Sequence, residues 1–168
     1  DIVLVALNTG LRKGEIFSLR KQDIDFDRTM LHISDSKNNE SRDVPINDTL
    51  HVTLKSLVDA AGDPQGYIFV NPQTKKPYDD VKKSFKTALK KAGIEDFTFH
   101  DLRHTFASHL VMTGTDLMTV RELLGHKDIT MTMRYTHLSP DHKRLAVQTL
   151  ESAYKAEKKI IELPVAEK

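Results

Sequence analysis

Apolar and polar positions along the chain repeat with two periods, and the switch between them marks out the elements. The first apolar block, "IVLVAL" at residues 2–7, reads as a buried helix over 1–8 that Thr9-Gly10 stops, as glycine does at a helix C-terminus. A short helix over 13–19 follows. The period then falls to two: Met30, His32 and Ser34 alternate with Leu31 and Ile33, the pattern of a half-buried strand. Together with "DIDF" (23–26) and "RDVPI" (42–46) this predicts three short strands, with the polar "DSKNNES" as a hairpin tip. Beyond them the pattern predicts helices over 48–61, 79–92, 99–113, 116–124, 129–136 and 140–162. Pro64, Gly66, Pro72 and Pro77 mark loops around an apolar "YIFV", and Ser139-Pro140 supplies an N-cap followed by proline. The fold class is α+β and mainly α-helical: a helical body carrying a small three-stranded antiparallel sheet. The final "LPVAEK" reads as a frayed tail.

Composition narrows this further. The chain has 168 residues, enough for one domain with its own core, and its 39% hydrophobic and 29% charged residues fit a folded, soluble protein. The opening apolar run is too short to span a bilayer and follows no basic leader, which implies no membrane partner. There are no cysteines, so disulfides and thiolate metal sites are excluded and a reducing cytoplasm fits. The chain opens inside a buried helix, as a fragment of a longer domain would. A net charge of +1 does not decide the partner. Between Lys75 and Lys91, however, seven lysines face two aspartates, and Lys82, Lys83 and Lys86 are either a solvated helix face or a contact surface for nucleic acid.

Four stretches carry candidate chemistry. In "FHDLRHTFASHL" (99–110), helical spacing puts His100, Arg103 and His104 on one side, away from Leu102 and Phe106. A histidine with an arginine three residues on suits a phosphate site, because guanidinium offers paired donors to its oxygens. The bland alternative is a solvated polar face. A His100/His104 metal pair lacks a third ligand and has Arg103 beside it to repel a cation. In "NTGLRKGE", Arg12 follows a broken helix end, and Glu15 either forms a surface pair with it or holds it pointing into a cleft. Lys37, in the hairpin tip, is either a solvated turn charge or an ammonium delivered to a DNA groove as a proton donor. In "LLGHKDITMTMRYTH", Gly125 turns the chain so that His126 sits at a helix C-terminus, and Asp128 caps the short element carrying Tyr135. Taken singly, Tyr135 is as compatible with packing as with chemistry. Taken together, two arginines, two histidines, a lysine and a tyrosine suit attack by a phenol on a phosphodiester.

These stretches also carry a resemblance. "TGLRKGE", the hairpin lysine ahead of "SRDVPI", "HDLRHTFASHL" and "LLGHKDITMTMRYTH" resemble, in order and spacing, the catalytic domain of the tyrosine recombinases, the phage-integrase family. The resemblance spans nearly the whole of 1–168 and implies that the family's N-terminal DNA-clamping domain and the start of its catalytic domain lie outside the chain. It implies that Arg12 and Arg103 grip the scissile phosphate, with His100 assisting as proton acceptor and His126 hydrogen-bonding the phosphate. Lys37 protonates the 5′-oxygen, and Tyr135 is the nucleophile that forms a 3′-phosphotyrosine. It further implies site-specific recombination of double-stranded DNA through a Holliday junction, with no metal or nucleotide cofactor, in a bacterial or phage-encoded cytoplasmic enzyme. The expected assembly is a homotetramer on DNA, the isolated fragment being compatible with a monomer. Residues 140–162, with Leu145, Leu150 and Ile160-Ile161, would pack on a neighbouring protomer or fold back on their own domain. The fragment alone is expected to bind DNA weakly and with strong salt dependence. The rival readings are a type IB topoisomerase-like enzyme, a DNA-binding module with a dead site and a histidine metalloenzyme.

Overall fold

The computed structural model describes residues 1–35, 40–60, 66–139 and 142–161; the side chains at 35, 40, 142–143, 145–146 and 156–161 fall outside that description. Helix α1 (Ile2–Thr9) ends at Gly10, whose φ of 63° is left-handed. A side chain there would also collide with Phe106, 2.4 Å from an added Cβ, so both conformation and close packing demand glycine. Helix α2 (Lys13–Ser18) follows.

Strands β1 (Ile24–Asp25), β2 (Met30–Asp35) and β3 (Glu40–Pro45) form an antiparallel sheet in chain order. The register pairs Leu31 with Val44 and Ile33 with Arg42 on the inner face. On the outer face His32 Nδ1 lies 2.9 Å from Asp43 Oδ1. Arg42 therefore occupies an inward position in phase with buried Val44, a placement that requires a buried partner.

Helix α3 (Asp48–Ala60) packs beside α1 and buries Leu50 and Leu54 in the larger core. Helix α4 (Lys82–Ala92) starts at Lys82, three residues later than its polar pattern predicts. Asp79 and Asp80 are taken up in a turn instead, and Asp80 pairs with Lys13 at 3.0 Å. Helix α5 (Phe99–Met112) is opened by Asp101, whose carboxylate accepts from the Thr98 backbone and hydroxyl at 2.7 and 2.6 Å. Asp116 caps α6 (Leu117–Leu124) by accepting from Met118 and Thr119 N–H, and Gly125 ends it at φ 62°.

The helix expected over 129–136 breaks in two: α7 (Thr130–Met133) and a 3-10 turn over Thr136–Leu138, with Tyr135 between them. Asp128 starts α7 by accepting from Thr130 N–H at 2.9 Å. Ser139 is extended, as an N-cap requires, whereas Pro140 lies outside the described residues. Helix α8 (His142–Ile161) carries Val147, Leu150 and Tyr154 exposed at helical spacing. The side chains of Leu145, Ile160 and Ile161 are outside the description. No helix among the described residues is long and apolar enough to cross a membrane.

Two cores meet along α5. Its first turns place Leu102 in the larger core with Val5, Leu11, Ile16, Leu31, Val44 and Leu54. Its later turns place Ala107 and Val111 in a smaller core with Val120, Leu124 and Tyr135. The candidate chemistry lies between the two.

Candidate active site

The C-terminal end of α6 is where the arginines converge. Helix C-termini leave carbonyls without intrahelical partners and carry the negative end of the helix dipole, so cations gather there. Three successive carbonyls each accept from a different guanidinium: Leu123 from Arg42 Nε at 3.0 Å, Leu124 from Arg103 Nη2 at 2.6 Å, and Gly125 from Arg12 Nη2 at 3.2 Å. Arg103 also donates to Gly10 O, at the end of α1, at 2.7 Å. Glu15 bridges the other two arginines, with Arg12 Nη1 at 3.0 Å and both Arg42 terminal nitrogens at 3.0 and 2.9 Å. It also accepts from the Arg12 backbone N–H at 2.7 Å.

These environments set the charges. Burial opposes ionisation of Glu15, but bonds from the Arg42 side chain and Arg12 backbone, with both guanidinium charges, more than offset it; its carboxyl stays below the ordinary value. Burial, and then the Arg12 charge, push Arg103 down to about 10, still protonated at neutral pH. Three guanidiniums thus share one carboxylate. Arg103 is only 4% exposed and fixed at both ends, whereas the Arg12 side chain is 42% exposed.

The remaining groups come from α5 and from the segment after α6. His126 Nδ1 lies 2.9 Å from the hydroxyl of fully buried Thr132. Burial first, then Arg103 and Arg12, depress its pKa to about 4, so the ring is neutral at physiological pH. His104 Nδ1 lies 2.5 Å from the Tyr135 hydroxyl, and the His100 ring meets His104 edge-on at 4.6 Å between centroids. Burial, then the charges of His100 and Arg134, lower the pKa of His104. Tyr135 is 5% exposed; burial raises its pKa, and Arg134 and Arg103 offset part of that rise.

A cavity of about 460 Å³ is lined by Arg12, His100, Arg103, His104, His126, Thr130, Met131, Arg134 and Tyr135. It unites five of the six catalytic candidates and contains no carboxylate in its lining. Lys37 lies outside the described residues. Lys82 and Lys86 border a separate groove of about 1030 Å³, floored by Phe85, Leu89, Phe97 and Phe99, which reaches His100 and Arg103 at one end. Lys83 is exposed and is not part of that lining. Asp80, Glu95 and Asp96 line the same groove, so its charge is mixed.

A model of the phage integrase family matches residues 1–142. The chain belongs to the phage integrase family. Among its relatives, the integrase of Salmonella phage P22 is 36% identical over 168 residues, covering 92% of this chain and 43% of that protein. Tyrosine recombinase XerA of Pyrococcus furiosus is 34% identical over 151 residues, covering 88% and 52%. The chain thus spans about half the length of the curated relatives it matches. The catalytic domain of bacteriophage HP1 integrase superposes with a TM-score of 0.68 at 33% identity, covering 88% of this chain and 79% of that one. A crystal structure of XerA recombinase gives a TM-score of 0.72 at 27% identity, covering 89% and 57%. The α+β, mainly helical architecture is that of this integrase family's catalytic domains.

Several site residues are absent from those the motifs single out. Arg42 carried a readable signal, since a charge in phase with Val44 and Ile46 sits at an inward strand position. His104 shares a helix face with His100, which placed it near the site without naming its partner. Thr132 and Arg134 gave no signal beyond proximity to Tyr135; Thr132 is buried, whereas Arg134 is exposed and lines the cavity.

Proposed function

We propose that the chain is the catalytic part of a site-specific DNA recombinase, in which Tyr135 attacks a backbone phosphodiester and becomes a 3′-phosphotyrosine. The observation that carries the reading is the single cavity holding Arg12, His100, Arg103, His126 and Tyr135, with no carboxylate in its lining. An anionic phosphate entering it meets guanidinium donors already held by α6 carbonyls, so little reorganisation is needed as charge develops on phosphorus. His126 contributes as a neutral donor: in the tautomer where the Thr132 hydroxyl donates to Nδ1, the ring hydrogen sits on Nε2, available to a phosphate oxygen. Lys37 is the acid for the departing 5′-oxygen. His100, at the cavity mouth, assists proton movement. Because the phosphotyrosine conserves the energy of the broken bond, resealing to a new strand needs no nucleotide.

The substrate is double-stranded DNA at specific sites, and Lys82, Lys83 and Lys86 contact its backbone beside the cavity. The uncovered stripe of Val147, Leu150 and Tyr154 on α8 fits packing on a neighbouring protomer, in keeping with a tetramer on two duplexes. Relatives named integrase and recombinase favour strand exchange over the topoisomerase alternative. The test is a nicked duplex that traps the adduct. The full-length protein gives a denaturant-resistant DNA–protein band, and Tyr135→Phe gives none. A band of wild-type intensity from the Phe variant would assign the nucleophile elsewhere.

A further inference from the structure

The Tyr135 hydroxyl has a specific partner that the family motifs leave without a role. Its oxygen lies 2.5 Å from His104 Nδ1, and the two rings are 6.0 Å apart between centroids. Both side chains line the cavity of about 460 Å³, and His104 stands between Tyr135 and exposed His100. We propose that His104 is a further catalytic residue, taking the Tyr135 hydroxyl proton on Nδ1 during attack and returning it when the strand is resealed. The inference rests on the recombinase reading.

The step balances without any co-reactant beyond those of that reading. In cleavage the phenol oxygen forms a bond to phosphorus, the bond from phosphorus to the 5′-oxygen breaks, and the phenol proton moves to Nδ1. The departing 5′-oxygen takes its proton from Lys37. In resealing, the 5′-hydroxyl returns its proton to Lys37 as its oxygen attacks phosphorus, the Tyr135 oxygen leaves with its electron pair, and Nδ1 gives the phenol proton back.

The surroundings suit a base that works only with DNA in place. His104 is faced by His100, Asp101 and Arg103 from α5, by Arg134 and Tyr135 beyond α7, and by His126 beyond α6. Burial and mainly cationic neighbours keep the imidazole neutral at physiological pH, so Nδ1 has a lone pair to offer. They also make it a weak base towards a phenol whose own proton is held more tightly than usual, so the resting site keeps that proton on Tyr135. A phosphate dianion-like transition state between Arg12 and Arg103 adds the negative charge that draws the proton onto His104.

Single-turnover adduct formation by the full-length protein on the nicked duplex tests this with two variants. His104→Ala removes the ring; His104→Asn keeps an acceptor near the Nδ1 position but cannot take up a proton. Both should slow the adduct by about 100-fold or more at neutral pH with DNA binding and thermal midpoint retained. Both rates should rise with pH as hydroxide replaces the base, whereas the wild-type rate falls on the acid side as His104 protonates. A duplex with bridging sulfur at the 5′ leaving position, which needs no acid, should not restore either variant. Wild-type rates from His104→Asn, or rescue by the sulfur substrate, would overturn the assignment. An absence of adduct from the wild-type protein would instead remove the recombinase reading itself.

Discussion

The two halves of the cavity are anchored in different ways. Arg103 is clamped between carbonyls at the ends of α1 and α6, and Arg42 and Arg12 share Glu15 while leaning on the same α6 terminus. Tyr135 instead sits in a break between a one-turn helix and a 3-10 turn, held by a small apolar core and the His104 bond. The arginine half is therefore preorganised by backbone that the whole fold fixes. Tyr135, the proposed nucleophile, rides on a segment whose backbone bonds are all short-range, Tyr135 N–H to Thr132 O at 3.0 Å and Leu138 N–H to Tyr135 O at 2.9 Å among them, so its hold on the rest of the fold is through side chains.

That contrast predicts a graded series. Arg103→Ala should give the largest joint loss. Cleavage of the nicked duplex should fall by about 1000-fold, and stability by about 2–3 kcal/mol in urea unfolding, because Gly10 and Leu124 carbonyls lose their donor in a buried place. Arg12→Ala should lose a comparable factor in rate yet less than about 1 kcal/mol, since its side chain is 42% exposed, against 4% for Arg103. Equal destabilisation by the two would erase the distinction between clamp and presented ligand.

Glu15→Gln comes next, removing the carboxylate between Arg12 and Arg42 at a cost of about 2 kcal/mol. Its pH signature has a definite sign. The folded pKa lies below the ordinary value of 4.5, so Glu15 contributes stability that is present above 4.5 and lost as pH falls through the folded value. The variant should flatten the acid limb of the stability profile; an unchanged limb would show that other carboxylates govern it.

Smaller effects belong to the His126 support. Thr132→Val should free the ring and slow cleavage about tenfold with little change in DNA affinity. In the free protein His126 should titrate near 4 by NMR, because burial, and then Arg103 and Arg12, oppose its protonation. Phosphate or DNA in the cavity neutralises those charges and should move the midpoint upward. A midpoint near 6.5 in the free protein would mean that the ring does not face the arginines.

Much of this arrangement was readable from the residues, for reasons specific to each element. The glycine stops at Gly10 and Gly125, the period-2 strand Met30–Ser34 and the spacing His100–Arg103 report local geometry, and the structure keeps them. The break at Tyr135 was not readable, because the apolar positions of "ITMTMRY" alternate with period two and mark neither the short helix nor the place where it stops. The start of α4 moved to Lys82 because Asp80 is drawn to Lys13, a contact 67 residues away in sequence. The carbonyl cradle was invisible for the same reason. Backbone acceptors carry no sequence signature, and Gly10, Leu124 and Arg103 meet only once α1, α5 and α6 have packed.

The most direct measurement is to digest the trapped adduct and sequence the DNA-bearing peptide by mass spectrometry. The account predicts one modified peptide, carrying a 3′-nucleotide phosphate on Tyr135. A phosphorylated fragment mapped to Tyr154, Tyr78 or any serine, with Tyr135 unmodified, would contradict it.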